Sequence, residues 1–220
     1  MLQPLIYTPP KHEGLDILFK DDYLIAINKP SGLLSVPGRG TNKQDCMIGR
    51  VLLEYPSALV IHRLDMSTSG IILFALNKSV QKLMGRLFET RKINKQYIAK
   101  VHGSLKNQTG LIDQPLITDW NNRPKQKIDY NNGKPSQTKY KLNYVDSNNN
   151  SFVELFPITG RSHQLRVHMS SIGHAILGDE LYGTTQTKTA SSRLLLHAQK
   201  IDFIHPMTNN KINIYCQESF

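Results

Sequence analysis

Apolar and polar residues alternate in short stretches along much of the chain. The alternation runs through residues 17–29, interrupted at Asp21 and Asp22, and it returns in residues 137–160 on both sides of the polar segment DSNNNS. A period of two places the apolar side chains of a strand on one face, and Asp, Asn and Ser favour chain reversals. Each stretch therefore predicts an antiparallel hairpin, and residues 201–216 predict another.

Helical spacing is found in two places. Directly after the apolar strand GIILFAL, residues spaced i, i+3, i+4, i+7 and i+8 are predicted to face the core from one helix: Val80, Leu83, Met84, Leu87 and Phe88. A second helix is predicted to begin with Ser162 as its N-cap and to end before Gly173. Its inward residues are Leu165, Met169 and Ile172. Because strands dominate and do not alternate regularly with helices, the pattern predicts the α+β class.

The length of the chain limits its organisation. The 220 residues can fill one substantial core but not a catalytic domain and a sizeable further module. Since no linker divides the chain, residues 1–220 are predicted to form a single catalytic domain without a separate binding module.

Cysteine usage and the amino-terminal segment indicate the compartment. Cys46 and Cys216 are far apart and lack the C-x-x-C spacing of structural zinc sites. The segment MLQPLIYTPPKHEG has no export signal, and no apolar run reaches the roughly 18 residues that a membrane helix needs. We therefore expect a cytoplasmic protein with no membrane partner.

The charge of the chain is strongly positive. Its 27 Lys and Arg outnumber 17 Asp and Glu, which gives a formal net charge of +10. An excess of this kind favours polyanionic partners such as nucleic acid. A generally basic cytosolic protein has the same composition, so the motifs are needed to distinguish it from a nucleic-acid-binding protein.

The segment IHRLDMSTSGIILFAL, residues 61–76, sets charged side chains directly before a wholly apolar strand. His62, Arg63 and Asp65 are thus predicted to lie where a loop enters the core, and charge at such a boundary needs a partner. An ion pair between Arg63 and Asp65 that only stabilises the loop would meet this need. A catalytic carboxylate would be placed there as well.

A second polar cluster, ITGRSHQLRVHM at residues 158–169, surrounds a turn and a helix start, where backbone N–H groups attract anions. An arginine from this cluster that paired with Asp65 would hold the carboxylate in one orientation as an anion, which a nucleophile or general base requires. Without that pairing, the cluster is an RNA-contacting surface or a solvated helix.

Aromatic and basic residues elsewhere suit nucleic acid. Tyr97, in the predicted strand KINKQYIAKVHG, is flanked by basic residues and would stack on an unpaired base or simply complete the core. The loop DWNNRPKQK combines features suited to phosphates and bases in Trp120, Arg123, Lys125 and Lys127. Weaker candidates, since most single basic residues are solvated surface charges, are Lys29, Arg39 and Arg193.

These motifs resemble those of the RluA family of pseudouridine synthases. HRLDMSTSG resembles the catalytic motif H-R-L-D-x-x-T-S-G, KQYIAKVHG the tyrosine motif, and GRSHQLRVHMSSIGHAILGD the arginine motif, in the family's order. The likeness extends through NKPSGLLSVPG, RPKQK and RLLLHAQKIDFIHP, and so covers nearly the whole chain. It is greatest to the small members of the family that modify both transfer RNA and large-subunit ribosomal RNA.

The resemblance implies a fold and a site. The fold is the pseudouridine synthase fold, a mixed and mostly antiparallel sheet with few helices and a central basic cleft. Asp65 is implied as the catalytic aspartate, Tyr97 as the ring against the target base, and Arg166 as the partner of the aspartate. Arg63 is implied to hold the RNA with the target nucleotide flipped out. Further RNA contacts are expected from His62, Lys29, Arg123, Lys125, Lys127, Arg161 and His163.

The implied reaction converts uridine to pseudouridine without a redox change, so no cofactor and no metal are expected. The expected targets are loop uridines of 23S ribosomal RNA and of the transfer RNA anticodon stem-loop, because a base leaves the stack most easily in loops. Attack of Asp65 on C1', addition to C6 and removal of a sugar proton all stay open. RNA is the expected partner, no obligate protein partner is expected, and the chain is expected to be a monomer.

Other functions fit part of the sequence. One is a synthase that acts on a single RNA class. Another is a metal-dependent RNA nuclease that uses His62, Asp65, His163 and His168, although no tight ligand spacing such as H-E-x-x-H is present. A noncatalytic RNA-binding module would explain the charge but not a carboxylate beside arginines.

Overall fold

The structure, a computed structural model, describes residues 7–220. The helices are α1 (Met47–Glu54), α2 (Lys78–Glu89), α3 (Gln164–Ser171) and α4 (Thr185–Thr189). The strands are β1 (Ile17–Lys20), β2 (Leu24–Lys29), β3 (Leu59–Val60), β4 (Ser69–Ala75), β5 (Asn94–Val101), β6 (Thr109–Asp113), β7 (Leu116–Thr118), β8 (Gln126–Ile128), β9 (Gln137–Val145), β10 (Ser151–Pro157), β11 (Leu196–Ile204) and β12 (Lys211–Tyr215). Residues 1–6, which begin the segment expected to lack an export signal, lie outside the described residues.

The strands form one large mixed sheet and one small one. In the 10-stranded sheet the order is β1-β2-β4-β11-β5-β10-β9-β6, with β12 paired to β11 and β3 to β4. Only β4 and β11 pair in parallel among the described strands. Strands β7 and β8 form a separate 2-stranded sheet. The predicted α+β class and mostly antiparallel sheet are confirmed.

All the predicted hairpins are present, as β1–β2, β9–β10 and β11–β12. A side-chain acceptor closes each of the first two turns. Asp21 Oδ1 accepts from the backbone N–H groups of Tyr23 and Leu24, at 2.8 and 2.7 Å. Asp146 Oδ1 accepts similarly from Asn148 and Asn150, both at 2.9 Å. Such local acceptors explain why short polar segments mark the reversals.

Strand β4 is buried on both faces. Its residues Ile71, Leu73 and Ala75 pack with Val80 and Met84 of α2. On the other face, its Ile72 and Phe74 join a cluster with apolar residues of α1. A strand covered on both sides has no solvent face, which explains the continuous apolar run GIILFAL in place of alternation.

The two predicted helices are present, with two corrections. In α2, Val80 and Met84 are fully buried, whereas Leu83 is 38% exposed, so its predicted core position is wrong. The sheet meets only the stripe through Val80 and Met84. The second helix, α3, begins at Gln164, one residue later than predicted, and His163 rather than Ser162 is its N-cap, with φ of 55°. As predicted, α3 ends before Gly173, whose φ of +87° stops the helix.

The side chain of Gln164 holds the turn that precedes α3. It is 3% exposed, and its Oε1 accepts from the backbone N–H of Arg161 at 3.0 Å and from the hydroxyl of Thr159 at 2.7 Å. The left-handed conformation of His163 ends this turn, so the helix begins only at Gln164. Leu165 and Met169 then pack beneath α3 against β10, which fixes the face on which Arg166 stands.

Candidate active site

Asp65 lies in the loop between β3 and β4, and hydrogen bonds from the segment after β2 hold this loop on both sides of it. The Ser35 hydroxyl donates to the carbonyl of Leu64 at 2.7 Å. The ammonium of Lys29 donates to the carbonyl of Met66 at 3.1 Å. Because the carbonyls immediately before and after Asp65 are both bound, the backbone that carries the carboxylate is fixed.

Arg166 reaches Asp65 from α3 and is itself held by Asp179. Its Nε and Nη2 donate to the two carboxylate oxygens of Asp179, at 2.9 and 2.7 Å. Its Nη1 lies 3.5 Å from Oδ2 of Asp65. The side chains of Arg166 and Asp179 are 4% and 1% exposed, whereas that of Asp65 is 26% exposed. Asp65 is therefore the member of this group that a substrate can reach.

The buried pair stays charged. Burial by itself would lower the pKa of Arg166, but the hydrogen bonds to Asp179 raise it. Burial would likewise raise the pKa of Asp179, but the Arg166 guanidinium and the backbone N–H groups of Leu181 and Tyr182 lower it. The guanidinium consequently presents a fixed positive charge to Asp65.

His163 approaches the other carboxylate oxygen. Its Nε2 lies 3.9 Å from Oδ1 of Asp65, and its Nδ1 lies 2.7 Å from the Tyr182 hydroxyl. That hydroxyl also accepts from the backbone N–H of Gln126 at 2.8 Å, so it bridges the imidazole and the hairpin backbone. The other ring nitrogen, Nε2, is the one that faces Asp65. Burial lowers the pKa of His163, with the Asp65 charge opposing, so the ring is neutral at pH 7.

Tyr97 reaches the site through the strand register. Gly70 of β4 pairs with Ala198 of β11, and Ala198 pairs with Tyr97 of β5. Gly70 has φ of +103°, and a Cβ atom there would overlap the backbone of Ala198, so this close pairing requires glycine. This row of paired residues brings Tyr97 near Asp65. Burial, and then the charge of Asp65, raise the pKa of the Tyr97 phenol, which therefore stays protonated.

Several predicted RNA contacts are exposed to solvent. Arg63, Arg161, Arg123 and Lys127 are exposed, and Lys125 is half-buried. The Arg123 guanidinium lies 4.2 Å from the ring centroid of Trp120, which is 67% exposed. This pair stands on the β7–β8 hairpin, the same hairpin whose Gln126 N–H binds Tyr182. The hairpin surface is thus linked by hydrogen bonds to the histidine beside Asp65.

Lys29 does not lie where a contact with RNA needs it. It is 0% exposed, and its ammonium donates to the carbonyls of Pro30, Leu33 and Met66, at 2.8, 2.7 and 3.1 Å. Burial lowers its pKa to about 7, against the effect of Asp65. Since all its donors are used inside the protein, the expectation that Lys29 contacts phosphate is wrong, and its role is to hold the loop at Asp65.

His62 is bound inside the fold, although part of its side chain is accessible. Its Nε2 accepts from the backbone N–H of Leu73 at 3.0 Å, and its ring packs on Phe88 with centroids 4.8 Å apart. Burial, and then the charge of Lys95, lower its pKa to about 3, so the imidazole is neutral at pH 7. The RNA contact of His62 stays a prediction, and it would use the Nδ1–H donor and no positive charge.

The residues of the metal-nuclease alternative are not brought together. His168 is buried, with its ring nitrogens at 2.9 Å from the Thr138 hydroxyl and 3.0 Å from the carbonyl of Gln114. His62 faces Leu73, as described, so only His163 is near Asp65. Within residues 7–220 no group of at least three His, Cys, Asp or Glu side chains is arranged to hold a metal ion.

Two residues of the site had no predicted role. Asp179 ends the arginine motif, and Tyr182 follows it in the segment GDELYG. An aspartate one residue after the apolar run AIL was the available signal, because a buried carboxylate needs a cationic partner. Nothing local indicates which arginine that partner is, or that the Tyr182 hydroxyl lies between a histidine and a hairpin backbone.

Comparisons with known proteins show the family to which this chain is related. Residues 23–171 match the family described as RNA pseudouridylate synthase. The chain is 47% identical over 214 residues to the dual-specificity RNA pseudouridine synthase RluA of Escherichia coli K12, covering 97% of this chain and 98% of that protein. It is 48% identical over 209 residues to the protein of the same name from Vibrio parahaemolyticus, covering 93% and 84%.

Solved structures show the same relationship. The human RNA pseudouridylate synthase domain containing 1 superposes with a TM-score of 0.79 at 27% identity, covering 97% of this chain and 87% of that one. The human domain containing 4 protein superposes with a TM-score of 0.73 at 26% identity, covering 91% and 87%. No helix within residues 7–220 is both long and apolar enough to cross a membrane.

Proposed function

The chain belongs to the RNA pseudouridylate synthase family, and from this membership we propose that it is a dual-specificity enzyme that modifies loop uridines of 23S ribosomal RNA and of the transfer RNA anticodon stem-loop. Membership makes it an isomerase that acts on RNA. The dual specificity is supported by relatives that share 46 to 48% of its residues and carry that property in their names. A synthase restricted to one RNA class is the alternative.

Asp65 is the proposed catalytic carboxylate. The observation that supports this most strongly is the contrast within its ion-pair group: Asp65 is 26% exposed, while Arg166 and Asp179 behind it are almost inaccessible. A structural ion pair has no need for a second, buried carboxylate to hold its arginine. An anion that must be presented to a substrate in one orientation does, because preorganised charge lowers the reorganisation needed during reaction.

The proposed chemistry uses the neighbours of Asp65 without further groups. The C1'–N1 bond breaks and its electron pair stays on the uracil. The ring turns, C5 bonds to C1' and loses its proton, and N1 takes up a proton, so that the product is an isomer of the substrate. Asp65 initiates these steps by attack on C1', addition to C6 or removal of a sugar proton, and in each case begins as an anion. Arg166 Nη1 and His163 Nε2 each lie beside one carboxylate oxygen, and we propose that they orient it.

Tyr97 is the proposed wall for the detached base. Its phenol remains protonated because burial and the nearby Asp65 raise its pKa. A neutral ring offers a stacking surface to uracil, whereas a phenolate would repel the negative charge that the ring carries after the C1'–N1 bond breaks.

The exposed basic residues are proposed to line the RNA cleft. Arg63 is included because it lies two residues before Asp65. Arg161 and His163 are included because they lie in the turn before α3. The β7–β8 hairpin adds Arg123, Lys125 and Lys127, with Trp120 as a stacking surface. Because Gln126 of this hairpin binds Tyr182, RNA bound to the hairpin is kept at a fixed position relative to the group around Asp65.

The organisation of the chain is part of the proposal. All the side chains of the site come from one chain, and they stand on strands of one sheet or on loops and a helix packed against it. We therefore propose a single catalytic domain over residues 1–220 that acts as a cytoplasmic monomer. Sedimentation of the purified protein at micromolar concentration gives its mass directly, and a dimer would overturn this part.

The dual specificity is tested by tritium release. An anticodon stem-loop of transfer RNA and a 23S fragment, each labelled with tritium at uridine C5, are incubated separately with the purified protein. Release from both supports dual specificity, since bonding through C5 expels the tritium. Release from only one RNA establishes the single-class alternative, and release from neither contradicts the proposed targets.

A further inference from the structure

A cavity of about 600 Å³ opens beside the loop that carries Asp65. Ser67 and Ser69, which follow Asp65 in the chain, are among its lining residues. Gly178 and Arg193 line it as well, and Gly178 directly precedes the aspartate that holds Arg166. The cavity therefore adjoins two of the segments that build the site, and Lys29, which holds the Asp65 loop, lines it too. None of the lining residues hydrogen-bonds to the Asp65 carboxylate itself.

Arg193 lines this cavity, with its guanidinium 5.4 Å from the ring centroid of Phe220 and its Nε donating to the carbonyl of Leu194 at 3.4 Å. Its Nη2 donates to the Ser69 hydroxyl at 2.7 Å and its Nη1 to the Ser219 hydroxyl at 3.3 Å. Within residues 7–220 no carboxylate lies within ion-pair distance of this half-buried guanidinium. The buried arginines Arg50 and Arg166 differ, since Asp45 and Asp179 neutralise them at 2.8 and 2.7 Å.

The position of Arg193 is fixed by its backbone. Gly178 has φ of +74°, and a Cβ atom at Gly178 would overlap the carbonyl of Arg193. The two backbones are therefore packed together, and the residue after Gly178 is Asp179, the partner of Arg166. This contact links the position of the Arg193 guanidinium to the position of the Arg166 guanidinium. A charge held this firmly before any ligand arrives loses little entropy on binding.

The remaining lining groups suit a phosphate. The hydroxyls of Ser67 and Ser192 line the cavity, and neither has a hydrogen-bond partner within the described part of the chain. Guanidinium and hydroxyl donors are the groups that bind phosphate oxygens in proteins. One carboxylate, Glu180, also lines the cavity, but it is exposed to solvent, where water and salt weaken its repulsion.

We propose that this cavity binds a backbone phosphate of the substrate RNA close to the flipped uridine, with Arg193 and the hydroxyls of Ser67 and Ser192 as donors. The inference rests on the proposed function, because it takes the ligand to be the RNA whose uridine reaches Asp65. A phosphate held beside the loop fixes the sugar of the target nucleotide relative to the carboxylate.

The salt dependence of RNA binding tests the cavity. An anticodon stem-loop is titrated with Asp65→Asn protein, and with the same protein carrying Arg193→Gln, at several salt concentrations. Loss of one phosphate contact weakens binding about tenfold at low salt. It also reduces the slope of log K against log salt by about 0.7 to 0.9. Arg86→Gln, which removes an exposed charge from α2, is the control and leaves both unchanged.

Two variants separate a phosphate contact from a structural role. Arg193→Lys keeps the charge and is expected to keep the slope. Ser69→Ala removes the hydrogen bond that Arg193 gives to the first residue of β4, which follows the loop, together with the contact between Ser69 and His197, but leaves the charge. It too is expected to keep the slope. If Ser69→Ala reproduces the whole effect of Arg193→Gln, Arg193 acts only by holding the loop and the proposal fails. Thermal melting of each variant checks that it is folded.

Neutral linkages locate the phosphate. Stem-loops that carry a single methylphosphonate are compared between the parent and the Arg193→Gln protein. When the methylphosphonate replaces one particular linkage next to the target uridine, the two proteins are expected to bind the stem-loop with equal affinity. The phosphate charge that Arg193 recognises is then absent. Inorganic phosphate is the second probe. Inorganic phosphate could compete with RNA through Arg193 although no single methylphosphonate makes the two proteins bind equally. In that case the cavity is a site for free anions, and the RNA contact is overturned.

The outcomes distinguish the two proposals. If the wild-type protein releases tritium from RNA while Arg193→Gln leaves the slope unchanged, the cavity proposal alone fails. If it binds the stem-loops with the expected Arg193 effect but releases no tritium, the proposed targets fail and the phosphate contact stands. If the Asp65→Asn parent does not bind RNA, the cavity proposal fails as well.

Discussion

Asp179 binds Arg166 through two hydrogen bonds, of 2.9 and 2.7 Å, and leaves only Nη1 of the guanidinium directed at Asp65. The proposed catalytic carboxylate is therefore oriented by an arginine that a second carboxylate orients in turn. This arrangement separates two duties: Asp179 satisfies the buried charge, and Asp65 keeps its exposed edge for the substrate.

Asp179→Asn is expected to slow the reaction without a comparable loss of RNA affinity. The amide does not neutralise Arg166, so the guanidinium is free to turn, and the single-turnover rate should fall about 100-fold. Unfolding free energy should fall by about 3 kcal/mol, because one buried charge loses its partner. Asp146→Asn, which breaks the ion pair with Lys100 away from the site, is the control. A normal single-turnover rate in Asp179→Asn would contradict the positioning role.

Tyr182→Phe is expected to act through His163. Without the hydroxyl, the Gln126 N–H loses its acceptor and Nδ1 of His163 loses its hydrogen-bond partner, so the imidazole is no longer held beside Asp65. The single-turnover rate should fall about tenfold while the dissociation constant for RNA changes less than about threefold. Tyr130→Phe, which alters an exposed tyrosine, should change neither quantity. If affinity falls as much as rate, Tyr182 only supports the hairpin.

Lys29 and Lys127 are expected to give opposite results. Lys29→Met leaves buried carbonyls without a donor and should lower the unfolding free energy by about 3 kcal/mol. The slope of log K against log salt for RNA should not change. Lys127→Met removes an exposed charge, so it should leave stability unchanged and reduce that slope by about 0.7 to 0.9. Denaturant unfolding and RNA titrations check both, and a reduced slope in Lys29→Met would restore it as a phosphate contact.

His62 predicts how stability depends on pH. Burial and Lys95 lower its pKa from 6.5 to about 3 in the folded protein. Between these values the unfolded chain binds a proton that the folded chain does not, so stability falls as pH falls through this window. His62→Gln retains an acceptor for Leu73 but does not titrate. Melting temperatures from pH 7.5 to 4 should therefore decline less steeply in this variant, and parallel curves would show that His62 takes up its proton in the folded state.

Much of the sheet could be predicted from the sequence because its signals are local. The hairpins at Asp21 and Asp146 have their turn acceptors within a few residues of the donors, and strand alternation is visible in any short window. Leu83 shows the limit of this reasoning. Helical spacing identifies a face, but the width of the surface that covers it depends on distant strands.

The site could be predicted only in part, for the same reason. Asp65 and Arg166 stand in distinct polar motifs, and the resemblance to the family implied that they meet. Asp179 gave no such signal. Lys29 was predicted to be a surface residue because it is basic, whereas its three carbonyl partners come together only after the chain has folded. A charge in a sequence does not reveal whether water or backbone surrounds it.

The central claim, that Asp65 is the catalytic carboxylate, is tested most directly by Asp65→Asn in a single-turnover tritium-release assay with enzyme in excess over the RNA. The account predicts no detectable release above the uncatalysed background, together with RNA affinity within about threefold of wild type, because the amide keeps the shape of the side chain and loses only its charge. Release at a rate near that of the wild type would contradict it.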